Sequence, residues 1–244
     1  MPPLNIDEVK RFVEQHIGAF HDRRLQSISE LRLKTILIRK NPYLFKAKNL
    51  LTAQDIIKTL LDAHLSSQEE GMFGNFLEDL AIFICGKVYG GRKSPAEGID
   101  MEFEKDRVTY LLAIKSGPNW GNSSQIARMR ENFVKAKKII RANSRESHVV
   151  AVNGCCYGRD NKPDKGNYFK YCGQNFWEFI SGNSNLYTDI IKPLGHKAKE
   201  KNQQFYEAYA QLVNKFTREF SDQFCTKDGI INWEALVKFN SSTK

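Results

Sequence analysis

Residues 98–115 read GIDMEFEKDRVTYLLAIK, with apolar side chains at every second position on both sides of a charged break. Successive side chains on a β-strand point to opposite faces. Two antiparallel strands joined at Lys105–Asp106 therefore place Ile99, Met101, Phe103, Val108, Tyr110, Leu112 and Ile114 on one core face. The opposite face carries Asp100, Glu102, Glu104, Thr109, Leu111, Ala113 and Lys115. With the turn there, Glu104 faces Arg107, Glu102 faces Thr109 and Asp100 faces Leu111. A slip of one residue would bury the carboxylates, so the hairpin has a well-specified register. Asp100 and Lys115 share a face at the end away from the turn.

Helical patterns surround this hairpin. Val9, Phe12, Val13, Ile17 and Phe20 recur at helical spacing after Asp7–Glu8, which suit a helix start. The basic segment LRLKTILIRKNPYLFKAKN is broken at Asn41–Pro42, because proline pushes the residue before it out of helical geometry. Thr52 and Asp55 resemble a capping box ahead of Ile56, Ile57, Leu60 and Leu61. A further helix is expected from about Met72 to Lys87. After the hairpin, Ser123 or Ser124 caps a helix burying Ile126, Met129, Phe133, Ala136 and Ile140. HVVAVNG then reads as a buried strand, CCYGRDNKPDKGNYFKYCG as loop, and Lys197 to Phe224 as a long closing helix. This order predicts an α/β chain: a central mixed β-sheet flanked by helices, with helical N- and C-terminal extensions. The expected division is a helical region 1–70, a core with a recognition loop at 71–195, and a helical region 196–244.

The chain has 244 residues, 37 basic against 28 acidic, for a net charge of +9. That excess favours a polyanion, with nucleic acid first and an anionic membrane second. At 41% hydrophobic there is enough apolar material for a sizeable core. No run is apolar enough to span a membrane, and MPPLNIDEVKRF is not a secretory signal. The five cysteines, Cys85, Cys155, Cys156, Cys172 and Cys225, have no disulfide-like spacing, which fits a reducing cytoplasm. Neither CxxC nor HxxxH pairs occur to hold zinc.

On the hairpin alone, an Asp–Lys ion pair on a solvated face would account for both charges and contribute about 1 kcal/mol or less. Three features point further. Gly98 before the acid lets a ligand or another backbone approach closely. Lys115 ends an apolar strand that does not need it for packing. The polar SGPNWGNSSQ that follows can offer amides and hydroxyls to a phosphate.

GID followed by AIKSG resembles the PD-(D/E)XK nuclease superfamily, specifically its type II restriction endonucleases. KNPYLFKAKN, HLSSQEEGMFGNFLEDLA, EGIDMEF, IKSGPNWGNSSQ and VNGCCYGRDNKPDKGNYFKYCGQNFWEFISG are similar to the PmeII-type group of those enzymes. The resemblance implies a restriction-endonuclease-like core, Mg²⁺ as cofactor, and sequence-specific hydrolysis of double-stranded DNA by a cytoplasmic bacterial or archaeal protein. It matches Asp100 to the first metal-binding acid and Lys115 to the lysine that orients or activates water. It further matches Glu78 to an accessory acid on the preceding helix and the Ile114 carbonyl to a backbone metal ligand.

Ala113 departs from the pattern, which places Asp or Glu two residues before the lysine. Three readings follow. The acid comes from elsewhere, Glu78 first or Glu102 as the alternative; the position was changed to trap uncut DNA; or the protein binds without cutting. A repair or RNA-processing nuclease on the same fold is a further alternative. For DNA binding, Asn119, Ser123, Ser124 and Gln125 suit phosphate at a helix start. Arg159, Asn161, Lys162 and Lys165 either read base edges or touch only phosphates. A homodimer is expected, since two strands must be cut and a two-fold site mirrors a two-fold protein.

Overall fold

The computed structural model describes residues 3–143 and 148–243. Four helices come first: α1 Ile6–Ser29, α2 Leu33–Ile38, α3 Pro42–Ala47 and α4 Ala53–Tyr89. Strands β1 Arg92–Lys93, β2 Met101–Lys105 and β3 Val108–Lys115 lead into α5 Ser123–Asn143. Strands β4 His148–Cys155 and β5 Phe169–Cys172 follow. The chain closes with α6 Gln174–Ser181, α7 Leu186–Asp189, α8 Ile191–Leu194, α9 Ala198–Phe224 and α10 Trp233–Ser241. Contacts group the chain into two units, Met1–Ile17 with Phe73–His196, and Gly18–Met72 with Lys197–Lys244.

The first unit is built on one sheet in the order β1-β2-β3-β4-β5. Its β1–β2 and β2–β3 pairs are antiparallel, whereas β3–β4 and β4–β5 are parallel, so the sheet is mixed as the element order implies. The hairpin turn falls at Asp106–Arg107 instead of Lys105–Asp106. Glu104 pairs with Thr109, Glu102 with Leu111 and Lys105 with Val108. Asp106 and Arg107 both take positive φ, 52° and 62°, as the tightest hairpin turn requires. Aspartate tolerates that region better than lysine does. The pairing shifts by two residues, so the side chains within β2 and β3 keep their predicted faces; Ile99, which precedes β2, does not, and packs with Leu111 and Ala113 on the opposite face.

Both faces of β3 are covered. Met101, Phe103, Leu112 and Ile114 are buried on one side, where Phe179 of α6 packs edge-on against Tyr110 and also meets Phe103. Leu111 and Ala113, on the other, join Met129, Phe133 and Ala136 of α5 in an apolar cluster with Val149 and Ala151.

Three further expectations are revised. The stripe behind Thr52 and the helix expected from Met72 belong to one helix, α4; the polar SSQEEG between them consists mostly of residues a helix accepts readily. Thr52 does cap it, accepting from the Asp55 N–H at 3.1 Å and donating its hydroxyl to the Asp55 carboxylate at 2.7 Å. α5 is capped by Asn122 and not by a serine: its side chain accepts from Gln125 N–H, and Gln125 accepts from Asn122 N–H, both at 3.0 Å. The stretch read wholly as loop contains β5, whose Phe169 and Tyr171 alternate as a strand's aromatics do.

The second unit is helical. Its core joins Ile56, Ile57, Leu60 and Leu61 of α4 to Leu212, Phe216, Phe220 and Phe224 of α9. Asn41 caps α3, accepting from Tyr43 N–H and Leu44 N–H, with Pro42 at the first helical position.

Gly154 on β4 marks the tightest approach in the sheet core: a Cβ there would stand 2.3 Å from the Phe176 ring. Gly154→Ala is expected to cost about 1–3 kcal/mol through overpacking, read as a lower urea midpoint. An unchanged midpoint would show that α6 can move aside.

Candidate active site

Asp100 lies immediately before β2 and is locked to β3 by backbone and side chain together. Its N–H donates to the Leu112 carbonyl at 2.8 Å. Its Oδ2 accepts from the Ile114 N–H at 2.6 Å and from Lys115 Nζ at 3.5 Å. The carboxylate thus continues the strand ladder by one bond after the backbone has stopped. The Lys115 ammonium also lies over the Trp120 ring, 5.4 Å from its centroid. Both charged groups are partly buried yet reachable from solvent, the Asp100 side chain 22% exposed and that of Lys115 32%. Gly98 has φ +70°, and a Cβ there would meet the Asn132 amide at 2.0 Å. The close approach read from this glycine is therefore made by a side chain of α5.

Glu78 on α4 is half-buried. Burial first, and then the Asp100 charge, push its carboxyl above the ordinary range, although Lys93 and Lys115 oppose the shift. Glu78 therefore feels the Asp100 charge as well as its own burial. Glu102 is differently placed. Oε1 accepts from Arg92 Nε and Nη2 at 2.9 and 2.8 Å, and Oε2 from the Ser94 hydroxyl at 2.8 Å. Both its oxygens are occupied beside β1. Ala113 is 1% exposed in the α5 cluster, and its methyl offers no ligand. Among the described residues no group of three His, Cys, Asp or Glu side chains is arranged to hold a metal.

Asn153, on β4, was not singled out from the sequence. It is 1% exposed. Its Nδ2 donates to the Ala113 carbonyl at 3.0 Å and its Oδ1 accepts from Trp120 Nε1 at 3.1 Å. This buried amide ties β3, β4 and the loop after Lys115 together, and so steadies the ring beneath the ammonium. The only signal in the sequence is an amide inside the apolar run HVVAVNG, which in a buried strand must find partners.

Two loops meet beside Lys115. Cys156 N–H donates to the Lys115 carbonyl at 2.9 Å and Tyr157 N–H to that of Ser116 at 3.1 Å. Lys170 Nζ donates to the Pro118 carbonyl at 2.9 Å. Asn119, Ser123 and Ser124 are exposed on the first loop and the opening turn of α5, while Gln125 is engaged in the cap. Arg159, Asn161 and Lys162 are exposed on the second loop. Lys165 is held by Asp160 at 3.0 Å. Burial pulls the Asp160 carboxyl upward, but the Lys162 N–H, Lys165 and Lys170 outweigh it and leave it below its usual value. Arg159 and Asn161 line a cavity of about 400 Å³ with Tyr157, Gln174 and Tyr187. All five cysteines are free thiols, and burial pushes Cys85 and Cys156 up to about 12.

A mixed sheet with helices, carrying an acid just before β2 and a lysine at the end of β3, is consistent with the α/β fold of restriction endonucleases. The sequence matches the type II restriction endonuclease EcoO109I family over residues 7–202, and the chain belongs to that family. The match supports this family and no narrower PmeII-type grouping. No curated protein matches the sequence. Among the described residues no helix is long and apolar enough to cross a membrane.

The position of Glu78 has a measurable consequence. A carboxyl held above its unfolded value destabilises the fold once pH rises through the window between the two, since the folded chain then holds the proton that the unfolded chain gives up. Without divalent cations, Glu78→Gln is expected to melt higher than the parent at neutral pH. The difference should vanish as pH falls below the ordinary carboxylate range. Equal melting temperatures at neutral pH would mean that neither burial nor the Asp100 charge raises the Glu78 carboxyl.

Proposed function

We propose that this chain is a type II restriction endonuclease that hydrolyses phosphodiester bonds at a specific sequence in double-stranded DNA, with Mg²⁺ as cofactor. It acts as a homodimer in the cytoplasm of a bacterial or archaeal cell. The observation that carries this reading is the Asp100–Lys115 contact, an acid just before β2 and an ammonium at the end of β3, 3.5 Å apart.

Asp100, Glu78 and the Ile114 carbonyl would hold the metal. Mg²⁺ needs few protein oxygens because it keeps several waters, and a divalent cation would offset both the burial and the Asp100 repulsion that raise Glu78. Bound there, the ion would supply charge for the phosphate and a water of lowered pKa. Ile114 N–H fixes the Asp100 carboxylate and so selects the face on which phosphate arrives. Lys115, with its ammonium between Asp100 and the Trp120 ring, holds a positive charge where the attacked phosphate becomes more negative. Glu78 takes the place of the acid missing at Ala113, and the captive Glu102 does not. Asn119, Ser123 and Ser124 would contact backbone phosphates, with Gln125 setting the helix end they belong to. Arg159, Asn161 and Lys162 would face the bases or the flanking backbone, with Lys165 bracing the loop.

Ala113 favours a second reading, a relative that binds DNA without cutting it. Incubation with plasmid and Mg²⁺ separates the two. Discrete fragments support the nuclease, retardation without cutting supports the silent binder, and unspecific nicking or loss of RNA points to another nuclease activity. Asp100→Ala and Glu78→Ala should each reduce cleavage by about 10²–10³-fold or more while DNA binding persists, and Glu102→Ala should stay within a few-fold. Survival of cleavage in Asp100→Ala would remove the site. Ala113→Glu would bury a carboxylate against α5 and should lower stability; a large gain of cutting instead would identify the alanine as the cause of silence.

A further inference from the structure

Residues 31–49, in the helical unit, carry Arg32, Lys34, Arg39, Lys40, Lys46 and Lys48 without one acid. None of the six forms a salt bridge among the described residues. The segment is held firmly: Asn240 Nδ2 donates to the Leu37 carbonyl at 2.8 Å and to that of Lys40 at 3.1 Å. Arg32, Arg39, Thr35 and His64 line a cavity of about 320 Å³. Nε2 of His64 is buried there without a hydrogen-bond partner. Burial first, then Lys40 and Arg39, hold the imidazole below its usual pKa. Glu30, the one acid on the rim, accepts from Gln26 Nε2 at 2.7 Å.

A buried ring nitrogen left unpaired costs stability, and the residues that line its cavity include Arg32, Arg39 and Thr35. A guanidinium presents a fork of donors and no acceptor. The ligand that satisfies such a set is small, oxygen-rich and negative. Phosphate meets that description, and Arg binds it through two bonds at once.

We propose that this cavity is a phosphate site through which the helical unit holds the backbone of duplex DNA, using none of the residues around Asp100 and Lys115. The choice of DNA as the polyanion rests on the nuclease reading; the phosphate chemistry does not. Arg32 and Arg39 take diester oxygens, His64 Nε2 donates a third bond, and Lys34 and Lys40 add charge along the strand.

The test uses the full chain, a fluorescent duplex of mixed sequence and a salt series without divalent cations. Arg32→Ala/Arg39→Ala should lower the slope of log affinity against log salt by roughly two and weaken binding about tenfold at moderate salt. Arg32→Lys/Arg39→Lys should keep the parent slope. Independently, inorganic phosphate should raise the pH at which the His64 imidazole titrates by NMR, and the double alanine variant should lose that response. Both arginines are exposed, so the variants should fold, and far-UV circular dichroism checks it. A folded double alanine variant with an unchanged slope overturns the DNA contact, as does a parent chain that binds no DNA. A His64 signal indifferent to phosphate overturns the site. Binding to phosphatidylglycerol vesicles that needs both arginines, with the DNA slope unchanged, would assign it to a membrane instead. Loss of cleavage in Asp100→Ala bears on the nuclease reading alone.

Discussion

The contact on which the site depends is the 2.6 Å bond from the Ile114 amide to the Asp100 carboxylate. At that point β2 has not yet begun and β3 still has a donor to satisfy. A side chain fills the vacancy, so the acid is positioned by the sheet and not by its own rotamer preference. Lys115 is the next residue on β3, on the acid's face of the strand. The ladder that fixes one partner therefore fixes the other, and neither can drift without breaking a backbone bond.

Ala113 is where packing and chemistry compete. Its face of β3 lies under α5, among Met129, Phe133 and Ala136, and a small side chain suits that cover. A carboxylate there would need partners that the cluster does not supply. Glu78, on α4, is half-buried, and burial first and then the Asp100 charge disfavour its charged form.

Much of the sheet was legible because alternation is a strong code. The faces of β2 and β3, the mixed α/β order and the stripe of α9 all follow from apolar periodicity. The features missed depend on single polar contacts or on brief elements. The turn at Asp106–Arg107 is decided by two left-handed residues that periodicity cannot see. Asn122 caps α5 because Gln125 answers it three residues later, a pairing hidden behind two adjacent serines. β5 is four residues long and sits amid glycine, proline and lysine, with too little alternation to register. Asn153 sits within an apolar strand, and its value lies in partners 40 and 33 residues away. The pairing of Asp100 with Lys115 was readable because both lie on one hairpin, whereas the approach of Glu78 from α4 is a tertiary matter.

The ring beneath Lys115 makes the chain its own optical probe. Trp120 feels the ammonium on its face at 5.4 Å and is clamped through its N–H by Asn153. Its excited state has a large dipole, so movement of that charge, or arrival of a countercharge, alters its emission. Of the other two indoles, Trp177 is sealed in the core with its N–H on the Cys156 carbonyl, and Trp233 lies on α10 beside Lys46. Occupancy of the cleft can thus be followed by native fluorescence, without a label and without turnover.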